Sequence, residues 1–201
     1  MDISKLEKNK VYIGFSRLKP NSLFNKFVYY SITFFSGGNV DHVFFLYYDY
    51  ILGWCSVGAL FSGLELLPIK QFLKDREIKY VFEPKYSGLL GILYINLQKI
   101  GTKYNYLAIL GIALFLTFKK IKLFSKYYIK YFRRNFLSNP KELFCSQWVE
   151  KVILQWIKML KDIKNIETSW SLSDIEPSLI TPYMILQTIE TSTLFSKFDI
   201  N

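Results

Sequence analysis

The segment Glu142-Leu-Phe-Cys-Ser-Gln-Trp-Val-Glu150 places Cys145 after a loop and at the start of a helix with apolar periodicity. A thiol there is readily activated. The free amides and positive dipole end of a helix favour the thiolate, and the thiolate is the nucleophile. The single histidine of the chain, His42, stands far upstream in Asp41-His-Val-Phe-Phe-Leu-Tyr-Tyr48. A cysteine and a histidine distant in sequence and joined in space are the minimum machinery of a cysteine hydrolase or acyltransferase. On that reading Cys145 attacks an acyl carbon and His42 shuttles the proton. The competing reading makes Cys145 a small buried hydrophobe and His42 a hydrogen-bonded histidine at a strand edge.

Other chemistries find little support. One histidine and two distant cysteines, Cys55 and Cys145, offer neither a metal-ligand cluster nor a disulfide scaffold. No Gly-rich phosphate loop is present, so no cofactor is expected. Trp148, Trp156 and Trp170 read as core or groove wall. Asp41 reads as a solvated or loop-bonding acid, because neighbours on a strand point to opposite faces.

The elements that must position these residues follow from periodicity. Val11 to Ser16 reads as a strand. Asn21 or Ser22 caps a helix to about Phe35, which Ser36-Gly-Gly-Asn39 ends. His42 to Tyr48 and Tyr50 to Val57 form a hairpin with its turn near Asp49. Leu64 to Leu67 is a third strand, Pro68 opens a short helix through Leu73, and Ile78 to Phe82 is another strand. Leu89 to Ile100, Tyr104 to Phe118 and Cys145 to Leu160 carry helical spacing. In the last, Val149, Val152, Ile153, Trp156 and Leu160 make one apolar stripe. Strands early and helices late predict an α+β layout in a single domain over 1–190. Residues 191–201 read as a weakly structured tail.

Composition sets the partners. Hydrophobic residues are 51% of the 201 and aromatics 18%, which argues against disorder. The net charge of +10 predicts attraction to an anionic partner. It concentrates in Lys119 to Arg134, a basic and aromatic run without an acid. That run follows the apolar stretch Tyr106 to Phe118, which falls short of the roughly 20 residues of a spanning helix. Residues 106–134 therefore read as an inserted segment for an anionic membrane surface or protein subunits, with nucleic acid a weaker fit. No secretory signal is visible, which predicts a cytoplasmic or virion-associated protein.

Taken in order, these segments resemble the circularly permuted papain-like superfamily, which includes NlpC-type cell-wall hydrolases and lecithin retinol acyltransferase-like enzymes. The resemblance spans roughly residues 11–186 and reverses papain's order, with the histidine ahead of the cysteine. It rests on Ser36-Gly-Gly-Asn-Val-Asp-His-Val-Phe-Phe45, Leu52-Gly-Trp-Cys-Ser56 and Ser62-Gly-Leu-Glu-Leu-Leu-Pro-Ile69. It continues through Gly101-Thr-Lys-Tyr-Asn105, Cys145-Ser-Gln-Trp-Val149 and Ser173-Asp-Ile-Glu-Pro177. The resemblance implies a small antiparallel sheet packed on helices, with Cys145 as nucleophile at a helix N-terminus and His42 as base and acid. It implies thiol-dependent hydrolysis or transfer at an amide or ester, in a cell-wall peptide or a lipid.

The family also places a polar residue at a strand end to orient the imidazole. Here that position falls near Trp54, Cys55 or Ser56, with Cys55 and Ser56 the candidates. Neither is an acid, and a thiol or hydroxyl stabilises imidazolium less than a carboxylate does. Gln147 also stands where the family commonly has Glu. The alternative is a catalytically degenerate structural or interaction protein of the same fold, such as a phage virion component.

Overall fold

The computed structural model describes residues 3–19, 38–60, 62–105, 142, 144–168, 170–175 and 179–199. The helix expected over 21–35 and the segment 106–134 lie outside these residues. The described residues form an α+β fold built on one six-stranded antiparallel sheet. Its strands are β1 (Val11–Leu18), β2 (His42–Asp49), β3 (Gly53–Leu60), β4 (Gly63–Pro68), β5 (Arg76–Pro84) and β6 (Phe195–Phe198). They lie side by side as β4-β3-β2-β1-β5-β6. The helices are α1 (Ile69–Asp75), α2 (Leu89–Asn96), α3 (Cys145–Lys164) and α4 (Pro182–Thr191).

β1 and β2 are apolar almost without alternation because the sheet is covered on both faces. Odd-numbered residues Val11, Ile13, Phe15, Val43, Phe45, Tyr47, Cys55 and Val57 enter the larger core. Even-numbered Tyr12, Phe44 and Leu46 enter a smaller core, with Ile69 and Phe72 of α1. The period of two along each strand makes this division.

α3 fills the larger core. Trp148, Val149, Val152, Ile153, Trp156 and Leu160 recur at helical spacing and are all fully buried. The Trp148 ring meets Phe45 edge-on at 5.4 Å. Asn165 ends the helix in the left-handed conformation at φ 51°, and the Ile166 N–H returns to the Leu160 carbonyl. α4 starts on Thr181, whose hydroxyl accepts the Met184 N–H at 3.2 Å, with Pro182 in the first turn.

One expectation is corrected here. The C-terminal segment is not a loose tail, since Phe195–Phe198 pairs with β5 from Val81↔Phe198 to Pro84↔Phe195. Phe195 is buried against Trp156 at 5.5 Å, and an apolar anchor of that size holds so short an edge strand. Among the described residues no helix is long and apolar enough to cross a membrane.

Candidate functional site

Cys145 is the first residue of α3, as its sequence context predicts. Its side chain is buried in the larger core, and the Val43 N–H points to the sulfur. Burial pushes the thiol up to about 11, which outweighs the opposing pull of the Val43 and Ser146 amides and of Arg76. The helix N-terminus is present, but desolvation of the charged form dominates it.

His42 opens β2 and pairs with Ser16 of β1. Its ring lies on the other face of the sheet, stacked on Phe44 at 5.8 Å and tilted against Phe72 at 5.9 Å. The side chain is buried, and among the described residues Nε2 has no hydrogen-bond partner. Burial holds the imidazole well below its ordinary value, and the Arg76 guanidinium adds to this. Cys145 and His42 thus belong to cores on opposite sides of β2, and no hydrogen bond joins the thiol to Nε2.

Cys55 and Ser56 do not serve the imidazole. Cys55 pairs with Tyr47 and faces the larger core, where burial and then Asp49 push its thiol up to about 11. Ser56 shares the face of His42, but it pairs with Leu46, four residues along β2 and so roughly 13 Å away at the rise of a strand. Its hydroxyl donates to the Leu67 carbonyl at 3.4 Å.

The residue set against His42 Nε2 is Gly58. A Cβ built there would stand 3.2 Å from Nε2 and 3.1 Å from the Phe44 Cβ. Gly14, across from Phe44 on β1, clears the same layer from the other side: a Cβ there would come within 2.4 Å of the Phe44 ring. Two glycines make room for the two rings, and one of them sets no side chain against Nε2. This position was legible in principle. Asp49 accepts the N–H groups of Ile51 and Leu52 at 2.8 and 2.9 Å, closing the turn over 50–52. Pairing Asp49 with Gly53 then carries the register to Phe44↔Gly58. Placing the turn at Asp49 alone shifts that register and points to Ser56 instead.

Asp41, expected as a solvated or loop-bonding acid, is buried and bonds the main chain. Its Oδ2 accepts the Leu18 N–H at 2.8 Å and its Oδ1 the Arg76 Nη1 at 2.6 Å, with both side chains nearly buried. Arg76 Nη1 also reaches Ser16 Oγ at 3.4 Å. This ion pair ties β1, the start of β2 and β5 together beneath His42. Beside it, on the α1 side, opens a groove of about 240 Å³ between Leu60, Leu67, Gln71, Phe72 and Arg76. Among the described residues no group of His, Cys, Asp and Glu could hold a metal ion.

The buried neutral histidine makes folding pH-dependent. The unfolded chain takes up a proton near the ordinary value of 6.5, and the folded chain does so only at much lower pH. Stability contributed by His42 is therefore intact above about 6.5 and is lost as pH falls below it. Urea midpoints of the native chain and of His42→Phe should separate progressively on acidification, with the variant the less acid-sensitive. Parallel curves would show that His42 does not titrate differently in the two states.

No protein-family model, curated protein or solved structure matches this chain.

Proposed function

We propose that this chain is a permuted papain-like domain that has lost its thiol chemistry and works as a structural or interaction protein. The observation that carries this reading is Gly58 beneath His42 Nε2. Papain-like catalysis needs an imidazole that touches the thiol, takes its proton and is steadied as imidazolium by a third group. Here the third position holds no side chain, and the imidazole is held neutral. The thiol faces another core and keeps its proton at neutral pH. The order of elements supports the scaffold: a histidine strand, a hairpin, a short helix after Pro68, and a cysteine helix.

One observation favours a second reading. Cys145 opens a 20-residue helix, and its sulfur receives the N–H of the residue next to His42. A one-residue shift of β2 that carried the imidazole to the face of Cys145 would build a hydrolase or acyltransferase for peptide or lipid acyl groups. Cys145 would be its nucleophile and His42 its base.

Alkylation kinetics separate the two. With the thiol at about 11, Cys145 reacts with iodoacetamide at neutral pH roughly 300-fold more slowly than a free cysteine of ordinary pKa near 8.5. His42→Ala leaves that rate unchanged. A Cys145 labelled faster than a free thiol, with the excess lost in His42→Ala, would establish the hydrolase reading and end the first.

A further inference from the structure

The turn joining β2 and β3 carries Tyr50, Ile51 and Leu52, three large apolar residues in succession, exposed to 83%, 93% and 49%. A soluble hairpin ordinarily places polar residues there. The turn is nonetheless well built. Asp49 satisfies the Ile51 and Leu52 amides, so the apex presents side chains rather than bare N–H groups. Behind it stand Tyr48, Tyr50 and Trp54, linked through edge-to-face ring contacts at 5.7 and 5.6 Å. The Lys8 ammonium lies 4.6 Å over the Tyr48 ring. α2 adds Tyr94 and Ile95, both exposed, with Tyr94 edge-on to Tyr47 at 5.9 Å.

We propose that this hairpin tip is a membrane-insertion wedge that docks the chain on an anionic bilayer. An apex of Ile and Leu followed by a collar of Tyr and Trp matches the passage from acyl chains to headgroups, where amphipathic rings settle. A protruding apex needs a deformable partner, which a bilayer provides without a matching socket. The Lys8 ammonium at the collar selects an anionic surface. The tip lies outside the basic run 119–134 and stands as a site on its own.

Co-sedimentation of the full chain with phosphatidylcholine vesicles, with and without phosphatidylserine, tests the proposal. The native chain binds the phosphatidylserine vesicles more tightly, and added salt weakens the binding. Ile51→Ser lowers the affinity roughly tenfold or more, the share of an inserted aliphatic side chain. Lys8→Ala weakens binding only where phosphatidylserine is present. Ile163→Ser, at an exposed position on α3, changes nothing. Both serine positions are solvent-facing, so unchanged thermal unfolding verifies the fold. Failure of the native chain to sediment overturns the proposal. So does binding unaltered by Ile51→Ser, or an equal loss in Ile163→Ser. A dimer that Ile51→Ser converts to monomer without any vesicle binding assigns the tip to self-association and also overturns it.

Discussion

Replacing Glu150 by Gln stabilises the folded chain by about 3 kcal/mol at about pH 8, because the native carboxylate is costly where it sits. Glu150 lies on α3 with no solvent exposure, and among the described residues neither carboxyl oxygen has a hydrogen-bond partner. The Trp170 indole nitrogen is beside it without closing a bond that meets hydrogen-bond geometry. Burial raises its pKa from 4.5 to about 7, against weaker opposing pulls from Trp170 and Lys151. The sign follows. Below 4.5 both folded and unfolded chains carry the proton and ionisation costs nothing. As pH rises through 7 the unfolded chain has already released it, and the folded chain must give it up inside a core. Stability therefore falls with rising pH across that window and then levels. In Glu150→Gln the fall disappears. For a chain of this size the gain corresponds to a rise in Tm of roughly 6–12 °C. Urea denaturation at about pH 4.5 and pH 8 is the check. Equal effects at both values would mean that the gain comes from packing rather than from the charge.

Asp41→Ala costs about 3–5 kcal/mol, the cost of stranding one member of a buried ion pair. Arg76 would keep its charge with Ser16 Oγ as its hydrogen-bond partner among the described residues, and the Leu18 N–H would lose its acceptor. The companion double variant, Asp41→Ala with Arg76→Met, should recover much of that loss. Removing both charges also removes the desolvation that each imposes. The coupling energy from the four urea curves is the quantity to measure. Near-additivity would mean that the pair is not acting as a unit. The double variant also removes the cation that adds to the depression of His42 by burial, so its stability should fall less on acidification below about 6.5 than that of the native chain.

The burial of Asp41 has a long-range cause. Whether a face is wet or dry is not written in a strand. Arg76 begins β5, and Asp41 precedes β2 from 35 residues upstream. Only the pairing of both strands with β1 brings the charges to 2.6 Å. Glu150 escaped notice for a related reason. It stands one helical turn after Ser146, whose hydroxyl donates to the Ile180 carbonyl, so a second side of α3 is buried beyond its apolar stripe.

Local sequence determined the strands β1 to β5, α1, the start of α3 on Cys145 and the α+β order. Those follow from period-two and period-3.6 patterning together with Gly, Pro and Asp signals read over a few residues. Only the tertiary structure decided that His42 packs against Phe44 and Phe72 while Cys145 faces the other core. That outcome depends on hairpin register, and a shift of a single residue moves every side chain to the opposite face. The nucleophile and base candidates were therefore legible as residues, whereas their relation was set by long-range pairing that no short segment encodes.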